Sequence, residues 1–122
     1  MTKVEALREL LGKVEAGTIQ DHPHGGMPLF TAMYKHFGGF ERPIIWHDAN
    51  AMGAYHGSLD AAKALHDAVL PGWTWRIMGT GWCELFGPDG EGINGCAHNE
   101  PARAWLAAIL KALIAIEERE DG

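Results

Sequence analysis

The sequence predicts an α+β fold: a three-layer α/β/α sandwich in which an antiparallel sheet of three or four strands carries helices on both faces. Three observations predict it. Apolar residues recur at helical spacing near both ends of the chain. Between them, residues 73–98 alternate in the manner of strands and are broken by turn dipeptides. Both sides of that alternating stretch carry apolar residues, so each side needs a cover.

The first predicted helix runs from Lys3 to Ala16. Val4, Leu7, Leu10, Leu11 and Val14 form its apolar stripe, and Gly17 is placed for a left-handed stop. Residues from Ile19 to Ala54 are less regular. His22-Pro23-His24-Gly25-Gly26-Met27-Pro28 is interrupted too often for a helix or a strand. Leu29 to Phe37 reads as a short helix with Phe30, Met33, Tyr34 and Phe37 on one side, ended by Gly38-Gly39. Pro43 to Trp46 reads as extended, and Asp48 as the cap of a helical turn or two through Tyr55.

Ser58 is a good N-cap, since its hydroxyl can accept an orphaned backbone N–H of the following helix. Asp60 then stands in the first turn, where the helix dipole favours an anion, and Ala62, Leu65 and Val69 share one face. Pro71-Gly72 ends the helix.

Asp89-Gly90 is a favoured two-residue hairpin turn, and Thr80-Gly81 a second one. Two-residue turns place Cys83 opposite Cys96, Leu85 opposite Asn94, Met78 opposite Cys83 and Trp75 opposite Phe86. One sheet face then carries Trp73, Trp75, Ile77, Trp82, Phe86, Ile93 and Ala97, with Glu84 as an odd member. The other carries Thr74, Arg76, Met78, Cys83, Leu85, Asn94, Cys96 and His98. The last helix starts with Asn99 as cap and Pro101 in the first turn. Its stripe is Trp105, Leu106, Ile109, Leu110, Leu113 and Ile116.

At 122 residues the chain makes a single domain, 1–122, large enough to bury roughly two-thirds of its unfolded surface. A net charge of −6 with ten scattered Lys and Arg argues against direct nucleic-acid binding, which depends on clustered cations. No apolar run reaches the ~20 residues of a membrane span, and the N-terminus has no apolar signal core. A cytosolic protein without membrane association is expected, with Cys83 and Cys96 reduced.

Ala54-Tyr55-His56-Gly57-Ser58-Leu59-Asp60-Ala61-Ala62, then Leu65-His66 and Leu70-Pro71-Gly72-Trp73, carry a resemblance. So do Pro101-Ala102-Arg103-Ala104-Trp105-Leu106 and the leucine-rich first helix ending in Lys13-Val14-Glu15-Ala16-Gly17. Over residues 3–17 and 54–116 the chain resembles the phage ABA sandwich domain of bacteriophage and prophage proteins. The resemblance implies an α–β–α arrangement and a phage origin, and brings no catalytic residues.

Seven histidines raise the question of a metal. His22, His24, His36, His47-Asp48 and His56 could converge on zinc, although no fixed ligand spacing supports it and surface histidines are the plainer account. Cys83, Cys96 and His98 on one face could also hold zinc, against the simpler reading of two buried apolar thiols. A nucleophilic Cys wants an exposed, electropositive place, which mid-strand Cys83 lacks. No serine has an evident base, and no glycine set follows a strand and opens a helix as a phosphate loop does.

Trp73, Trp75, Trp82 and Trp105 fit the sheet and helix periodicities and read as core. Trp46 differs. It lies with His47, Tyr55 and His56 around a loop, a group suited to stacking on a planar ligand or anchoring a partner protein. Arg76 adds a donor fork for phosphate or carboxylate. The candidate binding residues are therefore Trp46, His47, Tyr55, His56, His22, His24 and Arg76.

The expected function is that of a small phage or prophage accessory protein in the host cytosol. It is read as a non-enzymatic binding module that inhibits or sequesters a host antiviral component. Its partner would be a host protein or a small nucleotide-like ligand; a homodimer is open to it, and no cofactor is expected. The alternatives are a metal-dependent hydrolase built on the His-rich loops and a virion assembly component.

Overall fold

Apolar stripes at helical spacing become three long helices, and the alternating stretch becomes a sheet, within a computed structural model that describes residues 3–17, 50, 52–79, 81–97 and 99–121. In chain order these are α1 (Lys3–Ala16), α2 (Leu59–Val69), β1 (Thr74–Met78), β2 (Trp82–Phe86), β3 (Gly92–Cys96) and α3 (Pro101–Asp121). The strands form one antiparallel sheet in the order β1-β2-β3. The chain is thus α+β. The predicted helix Leu29–Phe37, the extended piece Pro43–Trp46 and the residues His22, His24, His36, Trp46, His47 and His98 lie outside the described residues.

The punctuation of α1 and α2 is as the sequence predicts. Gly17 stops α1 at φ 67°, its N–H donating to the Val14 carbonyl. Ser58 caps α2, its hydroxyl accepting the Ala61 N–H at 3.1 Å. A cap of this kind contributes about 1 kcal/mol. Asn99, expected as the cap of α3, instead sits at φ 56° in the left-handed region. The Glu100 carbonyl accepts the first helical bond from Ala104 at 2.9 Å, so the cap falls one residue later and Pro101 takes the first helical position.

Helix α3 is the centre of the fold. Ala104 through Leu110 are buried without a break, so the helix has no solvent side there. Strands β2 and β3 pack on it from one direction, and α1 and α2 pack on it as well. The sequence shows a wide stripe; what it does not show is that Ala104, Ala107, Ala108 and Ala112 are also enclosed. Their small side chains let backbones come close. The approach is tightest at Gly95 of β3, where a Cβ would stand 2.2 Å from the Ala104 carbonyl oxygen and 2.5 Å from the Ala108 nitrogen. Exposed ion pairs tie the periphery together: Arg8 with Glu118, and Arg119 with Glu91. Pairs of this kind add little to stability.

The sheet register corrects the sequence reading by one residue in both hairpins. Met78 pairs with Trp82 and Trp75 with Leu85. Cys83 pairs with Gly95, Leu85 with Ile93, and Cys96 with Trp82. The cause is an extra residue in each turn. A two-residue Asp89-Gly90 turn would put Pro88 opposite Glu91, at a place that needs a backbone donor, and proline has none. Instead the Gly87 N–H bonds the Glu91 carbonyl at 2.9 Å, and Pro88 opens a turn closed by Gly90 N–H to Gly87 O at 3.0 Å. Gly90 supplies the positive φ of 85° that this three-residue loop requires. The first hairpin likewise leaves residues 79–81 in its loop, with Gly79 at φ 65°.

One extra residue in each turn rotates β2 relative to both neighbours, because side chains alternate faces. Cys83 and Leu85 therefore point to α3 and are fully buried, alongside Ile77, Ile93 and Gly95. Trp82, Glu84 and Phe86 move to the other face with Thr74, Arg76, Met78, Asn94 and Cys96. Glu84 no longer sits in the core, which removes the anomaly of the predicted arrangement. Trp82, expected in the core, is 40% exposed. Trp75 is on the α3 side but at its rim, 40% exposed, with its ring 4.4 Å from that of Trp105. Among the described helices, α3 is the one that packs substantially on the sheet.

Candidate functional site

Residues 52–55 form the end of a helical turn that closes with a well-defined C-cap. The Ser58 N–H donates to the Gly53 carbonyl at 2.8 Å and the Gly57 N–H to the Ala54 carbonyl at 3.1 Å. Gly57 has φ 107°, so the pair of bonds forms a Schellman end with glycine in its usual place. These bonds use the carbonyls of Gly53 and Ala54. The next one, Tyr55 O, accepts from Arg103 Nε at 3.2 Å.

Arg103 therefore joins the start of α3 to the end of the preceding turn. Its guanidinium lies over the Tyr55 ring, 4.1 Å from the centroid, a cation–π arrangement. His56 meets the same ring edge-on, with centroids 5.4 Å apart. Gly17, at the end of α1, completes the group. A Cβ there would lie 3.3 Å from Arg103 Nη1 and 3.9 Å from the Tyr55 hydroxyl. Tyr55 is buried, Arg103 half-buried and His56 exposed. Glu100 comes close as well, its Oε2 3.9 Å from a Cβ placed on Gly57.

Of the predicted binding residues, the structure brings Tyr55 and His56 together. Arg76 is elsewhere, on the sheet face turned away from α3. It pairs across the strands with Glu84 at 3.4 Å and lies 5.8 Å from the Phe86 ring centroid. Its donor fork is therefore engaged locally. Trp46, His47, His22 and His24 lie outside the described residues.

Arg103 was not singled out by sequence reasoning, although a signal was present. A cation in the first turn of a helix opposes the dipole, and the first turn of α3 holds no acidic residue to offset it. Such a residue has another reason to be there.

The Cys83, Cys96 and His98 zinc set is overturned. Cys83 pairs with Gly95 and points to α3, while Cys96, one residue further, points to the opposite face. Both thiols are free. Burial pushes the Cys83 thiol up to about 12, so it stays protonated at neutral pH and is a poor nucleophile. Among the described residues, no group of three or more His, Cys, Asp or Glu side chains could hold a metal ion. Among them too, no helix is long and apolar enough to cross a membrane.

No known protein family, curated protein or solved structure matches the chain.

Proposed function

We propose that this chain is a small phage or prophage accessory protein, a non-enzymatic binding module that inhibits or sequesters a host antiviral component in the host cytosol. The observation that supports this best is the cluster of Tyr55, His56 and Arg103. It sets an exposed imidazole and a half-buried guanidinium against a buried aromatic ring that holds them in place. Groups of this kind bind well because few rotatable bonds are frozen for much contact area. The phage origin is supported by the resemblance at residues 54–62 and 101–106.

The measurement is co-purification from host extract, paired with a host-interference assay. Wild-type protein is expected to retain a host protein or a nucleotide-like ligand. The paired variant His47→Ala with His56→Ala is expected to lose at least about tenfold in retention, the loss of an interface anchor. A double variant that folds normally and keeps full activity places the site elsewhere.

The α/β/α sandwich belongs to the same proposal. A second helical layer on the sheet face of Met78, Trp82 and Phe86 would complete it and would bury side chains that are large and apolar. With such a layer, Trp82→Ala costs about 3 kcal/mol, in the range for removing an enclosed tryptophan. A denaturation midpoint that reports less than about 1 kcal/mol, the figure for an exposed side chain, removes the third layer.

A further inference from the structure

We propose that Arg103 and Tyr55 form a receptor for an oxyanion, a carboxylate or phosphate group, at the notch beside Gly17. Arginine has five N–H donors in a planar fork. The Nε donor is engaged by the Tyr55 carbonyl at 3.2 Å, which fixes the plane of the guanidinium over the Tyr55 ring. The four donors on Nη1 and Nη2 have no acceptor among the described residues. A fork held rigid at one end, and without an acceptor at the other among the described residues, is suited to a bidentate oxyanion.

The Tyr55 hydroxyl is a second, independent pointer. Tyr55 is 4% exposed, yet its hydroxyl makes no hydrogen bond among the described residues. Buried hydroxyls are normally partnered. It faces the same place as the open fork: both lie within 4 Å of where a Gly17 Cβ would be, Nη1 at 3.3 Å and the hydroxyl at 3.9 Å. A Cβ at position 17 would press on Nη1, and glycine avoids that contact. A purely structural clamp between α3 and the 52–55 turn accounts for the Nε bond and the stacked ring. It does not account for the Nη donors and the hydroxyl, which have no partner among the described residues.

The surrounding charges are mixed. The positive end of the α3 dipole lies at this end of the helix and favours an anion. The Glu100 carboxylate, near Gly57, opposes one.

The inference rests on the binding-module reading for its biological use alone, because anion binding is read on the purified chain without any host component. The experiment is an NMR titration of the full chain with inorganic phosphate and, separately, with acetate. Saturable shifts of the Gly17 amide and the Arg103 side-chain Nε–H are expected. Tyr55→Phe keeps the ring under the guanidinium and removes the hydroxyl, so binding should weaken about tenfold, the loss of one charge-assisted bond. Gly17→Asn tolerates the left-handed backbone and places a side chain in the notch, so the response should vanish while the fold is kept. Saturation by phosphate alone assigns a phosphate ligand, and saturation by acetate alone a carboxylate. Failure of both anions to saturate, or equal responses in wild type and the two folded variants, overturns the proposal. A positive titration with failed co-purification would overturn the host-binding reading and leave this one standing.

Discussion

Gly95→Ala is expected to unfold the protein or leave it without fixed packing, at a cost of about 3 kcal/mol or more, at the upper end for overfilling a core. The new methyl would stand 2.2 Å from the Ala104 carbonyl oxygen, 2.5 Å from the Ala108 nitrogen and 2.9 Å from the Ala108 Cβ. Two of these three are backbone atoms of α3, which cannot swing aside as a flexible side chain can. Relief requires the helix to lift off the sheet, and that would expose Cys83 and Leu85, both fully buried. The two thiols supply the measurement. In wild type, exposed Cys96 should react quickly with an alkylating reagent, and buried Cys83 only as the protein unfolds. In the variant both should react quickly, with the thermal transition lost or lowered by more than about 10 °C. Slow labelling of Cys83 in Gly95→Ala would mean that the sheet and α3 are further apart than described.

The same glycine shows what could be read from the sequence and what could not. Helix ends were legible because they depend on local chemistry: Gly17 after α1, Ser58 before α2 and Pro101 at the start of α3 each act within one turn. The strands were legible from alternation. Their register was not, because it depends on loop length, and Asp89-Gly90 is compatible with two loops that differ by one residue. Pro88 was the deciding residue: without a backbone donor it cannot occupy the ladder position that the shorter loop demands. Glu84, stranded on an otherwise apolar face by the predicted register, was the second sign that β2 should be turned over. In the structure it faces Arg76 instead.

The candidate site was half legible. Tyr55 and His56 stand out as an aromatic and an imidazole that no periodicity requires, whereas Arg103 lies inside a regular helix and is joined to Tyr55 only by the fold. Forty-eight residues of chain separate the two partners, and local patterns carry no information at that range. Trp73, Trp75, Trp82 and Trp105 were read as core from their periodicity. Of these four, only Trp105 is fully enclosed.

Trp105 also carries the second large prediction, through a buried polar contact that alternation and stripes do not reveal. On α2, His66 follows Leu65 on the apolar side and is 1% exposed. The Trp105 Nε1–H donates to His66 Nδ1 at 3.2 Å, so that nitrogen is unprotonated. The proton then resides on Nε2, which donates to the Trp73 carbonyl at 2.9 Å. One neutral tautomer thus links α2, α3 and the lead into β1. Trp105→Phe would leave a cavity and a buried acceptor without its donor, at a cost of about 3 kcal/mol. His66→Leu would strand both the indole N–H and the Trp73 carbonyl, at about 3 kcal/mol. Replacing both removes the mismatched donor and acceptor together, so the double variant should be more stable than the sum of the two costs by about 1–2 kcal/mol. Chemical denaturation of the four proteins measures the cycle. Additivity within about 0.5 kcal/mol, the scatter of independent sites, would show that the Trp105–His66 bond does not form and that His66 is held by Trp73 alone.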